Sequence, residues 1–120
     1  MEILLIEGTE DTPKIIFDKQ KEIFEISGRS LIENSLEFYK PVLKWIMAYS
    51  QNPNPTTICS FKLEYINTDS AKRILDVLSA FDKIKETKII WYFHEDDEDM
   101  EETGEEFSEL VEIPFELVTY

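Results

Sequence analysis

Short alternating runs of apolar residues dominate the first quarter of the chain. These runs predict strands at residues 2–6, 14–17 and 22–26, separated by turns that carry Gly, Pro and charged side chains. Since the intervening turns are short, we expect the three strands to pair as a meander or a hairpin.

Apolar residues next recur at helical spacing and predict a first helix. The residues of its expected buried face are Ile32, Leu36, Tyr39, Leu43 and Ile46. Ser30 and Glu33 have the spacing of a capping box, in which each side chain bonds the free backbone amide of the other. We therefore expect the helix to begin at Ser30. Pro41 lies inside the pattern and predicts a kink or a split.

The second half of the chain alternates between strand and helix patterns. An Asn/Pro-rich loop at 51–55 precedes a strand of period two at 57–66, and four residues able to cap a helix follow at 67–70. The remaining predicted elements are a helix after Ser70, a strand at 88–94, an acidic helix at 97–111 and a strand at 115–120. This pattern predicts an α/β fold with residues 1–120 as a single domain. We expect a mixed β-sheet of about six strands with helices packed on it, in the order β-β-β-α-β-α-β-α-β.

Negative charge is concentrated in the last quarter of the chain. The 120 residues hold 12 Lys and Arg against 26 Asp and Glu, for a formal charge of −14. Residues 91–120 contain 12 of these acids and no Lys or Arg. Such a surface repels phosphate backbones and anionic lipid, so we expect neither nucleic acid nor a membrane as partner. The acidic segment at 95–106 is either a solvated helix face or a docking surface for a basic protein.

No residue cluster predicts catalysis or metal binding. The glycines stand alone, so the phosphate-binding glycine loops are absent, and His94 and Cys59 fit structural roles better than catalytic ones. An EF-hand loop starting at Asp97 fails because Glu102 occupies the sixth position, where glycine is needed. We expect a protein that is not an enzyme, with no cofactor and no metal site. One cysteine and the lack of a membrane-spanning run suggest the cytoplasm.

The junction between the strand at 57–66 and the next helix is the candidate site. If Asn67 is the N-cap, Thr68 begins the helix at an exposed end, with Asp69 and Ser70 beside it. Simple capping explains these residues. A second interpretation is a phosphorylation switch at Thr68, with Ser70 as second choice, because a helix N-terminus tolerates the roughly −1.5 to −2 charges of a phosphate.

Three ordered segments resemble the SiaC-type regulatory phosphoproteins of bacteria. The first consists of Ile26-Ser27-Gly28-Arg29-Ser30 with Glu33-Asn34, Glu37-Phe38-Tyr39 and Pro41. The second runs from Phe61 to Lys72 and includes Asn67-Thr68-Asp69-Ser70. The third combines Trp91-Tyr92, residues 96–100 and Gly104-Glu105-Glu106-Phe107. The similarity covers nearly the whole chain in one register.

This resemblance implies a non-enzymatic switch protein with a STAS-like fold, similar to anti-sigma-factor antagonists. It implies that Thr68 is phosphorylated by a partner protein kinase and dephosphorylated by a PP2C-like phosphatase. The unmodified form is then expected to activate a diguanylate cyclase and so to control cyclic-di-GMP and biofilm signalling. The alternative is a constitutive acidic adaptor that uses residues 95–106 and has no phospho-switch.

Overall fold

A computed structural model describes all residues 1–120, and its strands form one six-stranded sheet. The elements are β1 (Leu4–Ile6), β2 (Lys14–Asp18), β3 (Ile23–Ser30), α1 (Ser35–Tyr49), β4 (Thr57–Ile66), α2 (Thr68–Asp82), β5 (Thr87–Phe93), α3 (Glu98–Leu110) and β6 (Phe115–Thr119). This order confirms the predicted fold class and the predicted sequence of strands and helices.

The strands lie in the sheet in the same order as in the chain. β1, β2 and β3 pair antiparallel, whereas β3, β4, β5 and β6 pair parallel, with one helix in each parallel connection. Because parallel strands end at the same edge of a sheet, the segments that follow β3, β4 and β5 lie side by side. The N-termini of α1 and α2 therefore lie next to each other at this edge.

All three helices cover one face of the sheet. Alternate residues of β4, such as Cys59, Phe61 and Leu63, are buried beneath the helices, as the period-two pattern predicted. Phe61 stacks on Trp91 of β5, with ring centroids 5.6 Å apart, and both belong to one continuous core cluster. The residues between them on each strand point away from the helices, and we call this side of the sheet the open face.

The predicted helix start at Ser30 is wrong. β3 continues through Ser30, whose side chain is buried and shares a 2.7 Å hydrogen bond with the Tyr39 hydroxyl. The backbone of Ser30 pairs with the end of β4, and its carbonyl accepts a hydrogen bond from the Asn67 amide at 3.0 Å. Strand pairing over this distance in sequence outweighed the local capping motif, and the helix begins at Ser35 instead.

Pro41 does not split the first helix. Helix α1 runs unbroken from Ser35 to Tyr49 with Pro41 inside it. Buried residues on both sides of the proline, including Tyr39 and Val42, pack into the same core. Their burial keeps the two parts in one helix despite the missing backbone donor.

None of the three helices combines the length and the apolar character needed to cross a bilayer.

Candidate functional site

Asn67 joins the end of β4 to the start of α2. Its extended backbone ends the strand, and its side-chain oxygen accepts a hydrogen bond from the Ser70 amide at 2.8 Å, as expected of an N-cap. The side-chain nitrogen donates to the carbonyl of Ile32 at 3.1 Å. One amide group therefore caps α2 and also holds the segment that leads into α1.

Thr68 is the first residue of α2, and its side chain is exposed. At this position the backbone amides of the first turn have no intrahelical partners. The hydroxyl is therefore accessible to another protein and lies at the positive end of the helix dipole. This is the position that the sequence predicts for a phosphate acceptor.

Asp69 connects α2 to the start of α1. Its carboxylate accepts hydrogen bonds from the Ser35 amide at 3.1 Å and from the Ser35 hydroxyl at 2.5 Å. Asn34, the N-cap of α1, makes no side-chain cap, so the carboxylate from α2 serves that helix instead. These bonds, the one from the Ser35 hydroxyl first, hold the pKa of the Asp69 carboxyl below its usual value.

Ser70, the second predicted acceptor, lies on the inner side of α2. Its side chain is fully buried, and its hydroxyl has no hydrogen-bond partner. A kinase cannot reach this hydroxyl without unwinding the first turn. The structure therefore separates the two candidate hydroxyls by access to solvent, with Thr68 outside and Ser70 inside.

A groove of about 460 Å³ runs from Thr68 to α3. Its apolar lining includes Tyr65 and Leu110, which are 54% and 63% exposed. Four acids line the same groove: Glu64, Asp97, Asp99 and Glu106. The candidate phosphate acceptor and part of the acidic segment thus belong to one concave surface, which is lined by both apolar and acidic side chains.

Helix α3 forms the far wall of this groove. Asp97 caps the helix by accepting a 3.0 Å hydrogen bond from the Met100 amide. Trp91 of β5 donates its indole N–H to the Met100 carbonyl at 3.0 Å. Gly104 packs so closely on that indole that an added Cβ would lie 2.5 Å from Trp91 Cδ1. Glycine at this position therefore lets the acidic helix sit directly on the sheet.

Sequence reasoning missed Ser35 as a member of the site. In the sequence it is an ordinary polar residue within the predicted first helix, 34 positions before Asp69. Only the parallel pairing of β3 with β4 brings the two residues together. In the structure, the side chain of Asn34 does not cap α1, and this shows that the helix takes its cap from another element.

The remaining reactive side chains lie outside this junction. The His94 ring packs on the Tyr120 ring at a centroid distance of 4.1 Å. Cys59 is fully buried, and burial, with a smaller contribution from Glu25, raises the pKa of its thiol well above the usual value. No three His, Cys, Asp or Glu side chains come together in an arrangement that could hold a metal ion.

The chain matches the model of the SiaC family, described as "SiaC family regulatory phosphoprotein", over residues 6–120. It is 29% identical over 121 residues to an uncharacterized protein of Pseudomonas aeruginosa strain UCBPP-PA14, with 98% of this chain and 96% of that protein covered.

Two solved structures share the fold over their whole length. SiaC of Pseudomonas aeruginosa matches with a TM-score of 0.87 and 27% identity, covering 100% of both chains. A chain in the crystal structure of the diguanylate cyclase SiaD in complex with its activator SiaC, also from Pseudomonas aeruginosa, matches with a TM-score of 0.87 and 29% identity. That match covers 98% of this chain and 99% of the other. The chain therefore belongs to the SiaC family of regulatory phosphoproteins.

Proposed function

We propose that this protein is a non-enzymatic switch, acting in the cytoplasm as one regulatory domain over residues 1–120, whose partner binding is controlled by phosphorylation of Thr68. The observation that carries the proposal is the exposure of Thr68 at the start of α2, beside the groove that reaches α3. The neighbouring Ser70 hydroxyl is buried and so is a poor substrate for a kinase.

The fold accepts a phosphate at Thr68 because of where the group attaches. The start of a helix is the positive end of its dipole, and an anion near it gains about 0.3–1 kcal/mol. The Thr68 side chain is exposed, so no core residue has to move to make room for three oxygens. The fold of the phosphorylated form is therefore expected to be retained.

The same phosphate is expected to weaken the binding of a partner protein docked at this site. The modified side chain would project beside a groove that already carries Glu64, Asp97 and Asp99. A partner fitted to the unmodified hydroxyl would have to strip water from a dianion for which it offers no matching cation. Each ~1.4 kcal/mol of that cost lowers the affinity tenfold. The modification therefore opposes the complex while leaving the protein folded.

The partner that we propose is a diguanylate cyclase, activated by the unmodified form. Support comes from the structural match to the complex of the cyclase SiaD with its activator SiaC. A protein kinase that modifies Thr68 and a PP2C-like phosphatase that restores it complete the switch, as the family resemblance implies. Through the cyclase, the switch would control cyclic-di-GMP and biofilm formation.

Phosphosite mapping tests the acceptor. The protein is incubated with ATP and the partner kinase, and the modified residue is located by mass spectrometry. We expect phosphate on Thr68, loss of labelling in Thr68→Ala, and unchanged labelling in Ser70→Ala. Thr103→Ala is the matched control, since Thr103 lines the same groove on α3. Labelling that persists in Thr68→Ala rejects Thr68 as the acceptor.

Binding measurements separate the switch from the constitutive acidic adaptor. For a switch, Thr68→Asp folds normally but binds the cyclase at least about tenfold more weakly, whereas Thr68→Ala binds like wild type. For a constitutive adaptor, changing Glu101, Glu102, Glu105 and Glu106 to Gln abolishes capture and the Thr68 variants have no effect. Of these four acids only Glu106 lines the groove with Thr68, so the changes at Glu101, Glu102 and Glu105 probe a surface separate from the groove.

A further inference from the structure

The open face of the sheet carries a continuous band of aliphatic side chains. Each of the six strands contributes one residue to it: Leu5, Ile16, Ile23, Ile58, Ile90 and Val118. None of the six packs against the core cluster under the helices. We name these six residues the open-face band.

Strand register makes the band continuous. Leu5 lies directly opposite Ile16, and Ile23 lies diagonally across from Ile16 on the neighbouring strand. Ile23 and Ile58 each precede the paired residues Glu25 and Ser60 by two positions, so they are side by side at the middle of the sheet. Two further diagonal steps complete the band at Ile90 and Val118. Such neighbours are close enough for their side chains to touch.

This exposure is unusual for the parallel half of a sheet. Parallel sheets are normally covered on both faces, whereas β3 to β6 are covered here only on the helix side. Leu5 and Ile58 are 56% and 51% exposed. The other four side chains of the band are partly exposed. A contiguous apolar surface that solvent reaches in this way is typical of a site of protein association.

Charge indicates what covers the band. Apart from the buried Asp18, the ionic side chains along the open face are three lysines, one arginine that pairs with Glu64, and three glutamates: Lys14, Lys62, Lys88, Arg29, Glu25, Glu64 and Glu116. Lys88 and Glu116 already pair at 2.8 Å. The open face is therefore close to neutral in a chain of net charge −14. A cationic partner is drawn to the acidic helices instead, and a neutral face suits another neutral face.

We propose that the open face binds a second copy of this chain in a two-fold symmetric, sheet-to-sheet dimer. A two-fold axis at the middle of the band sets Ile23 and Ile58 against the same residues of the second copy. Facing sheets pack about 10 Å apart, which leaves the acidic α3 helices on opposite outer sides. Their separation then exceeds the screening length of about 8 Å at physiological salt.

The size of the face predicts a weak dimer. The six strands hold 38 residues, and at about 3.3 Å along each strand and about 4.8 Å between strands the face covers roughly 600 Å², less than the roughly 800 Å² per partner of a standard interface. Association is therefore measured by sedimentation equilibrium at protein concentrations from about 10 µM to about 1 mM. We expect the mean mass to rise from the monomer value of 14.2 kDa toward twice that value.

The test variant is Ile58→Lys, which places like charges together at the centre of the dimer. It is expected to remain a monomer over the whole concentration range, with an unchanged circular dichroism spectrum because Ile58 is half exposed. Met47→Lys is the matched control, since Met47 is 69% exposed on α1, away from the open face, and should dimerise like wild type. Added NaCl should strengthen dimerisation, because it screens the repulsion between two chains of charge −14.

The proposal is overturned if wild type stays at 14.2 kDa throughout, or if Ile58→Lys associates as wild type does. It is also overturned if wild type stays monomeric and Ile58→Lys loses cyclase binding, a result that assigns the band to the cyclase. Thr68→Asp should dimerise normally. Failure of the dimer therefore leaves the phospho-switch untouched, and failure of the switch leaves the dimer untouched.

Discussion

Asp69 lies on α2 next to the proposed phosphate acceptor, and its carboxylate accepts hydrogen bonds from Ser35, the first residue of α1. Capping of one helix by a carboxylate from another fixes how the two helices meet. Ser35 is buried, so loss of its hydroxyl leaves the Asp69 carboxylate short of a donor that water replaces only in part.

Ser35→Ala is expected to lower the free energy of unfolding, because it removes the part-buried hydrogen bond from the Ser35 hydroxyl to the Asp69 carboxylate. Urea unfolding at neutral pH measures the change. Ser79→Ala on the exposed side of α2 is the control and should have little effect. A Ser35→Ala protein as stable as wild type would show that the contact with Asp69 does not hold the helices together.

The contact also predicts a pH dependence. Because the folded protein lowers the pKa of Asp69, the stabilisation is present above the unfolded pKa of this carboxyl and is lost as the pH falls through the folded value. Asp69→Asn should therefore be less stable than wild type at pH 7, and the difference should shrink in acid. A difference that stays constant from neutral to acidic pH contradicts this origin.

The buried Tyr39 hydroxyl leads us to expect the opposite pH dependence of stability at alkaline pH. Burial raises its pKa from 10.0 to about 12, partly offset by the hydrogen bond that it shares with Ser30. Between these values the unfolded chain loses the proton and the folded chain keeps it, so stability falls by about 1.4 kcal/mol per pH unit. Urea unfolding at several pH values should show a shallower decline for Tyr39→Phe than for wild type. Equal slopes would place the ionisation elsewhere.

At the scale of elements, the local sequence pattern predicted a strand or helix correctly wherever contacts distant in sequence did not change its bounds. The alternation at residues 57–66 and the cap at Asn67 predicted β4, α2 and the exposed start at Thr68, and the structure places all three as expected. The start of α1 was wrong because pairing of Ser30 with β4 is invisible to local spacing. The partnership of Ser35 with Asp69 escaped prediction for the same reason.

The close packing of α3 on the sheet depends on Gly104. Gly104→Ala pushes a methyl group into the Trp91 indole, at a cost of about 1–3 kcal/mol, while the better helix propensity of alanine returns about 1 kcal/mol. We expect a net loss of up to about 2 kcal/mol in the free energy of unfolding. Glu102→Ala, at an exposed site on the same helix, is the control. A more stable Gly104→Ala protein would contradict the close packing.

At the scale of the whole molecule, repulsion between the acidic side chains of α3 destabilises the folded state. Helix α3 carries acids four residues apart, such as Glu101, Glu105 and Glu109, and no base. Like charges at this spacing cost about 0.2–0.5 kcal/mol per pair. The melting temperature measured by calorimetry should therefore rise with NaCl, and Glu105→Lys should be more stable at low salt and respond less to salt. A melting temperature that falls with NaCl would contradict this.

The phospho-switch depends on two properties of the same molecule: a fold that tolerates the phosphate and a complex that does not. Both are tested by comparing unmodified protein with protein fully phosphorylated on Thr68, in urea unfolding and in calorimetric titration with the diguanylate cyclase. We predict free energies of unfolding within about 1 kcal/mol of each other and an affinity for the cyclase at least about tenfold lower after phosphorylation. Equal affinities, or a phosphorylated protein that no longer folds, would contradict the account.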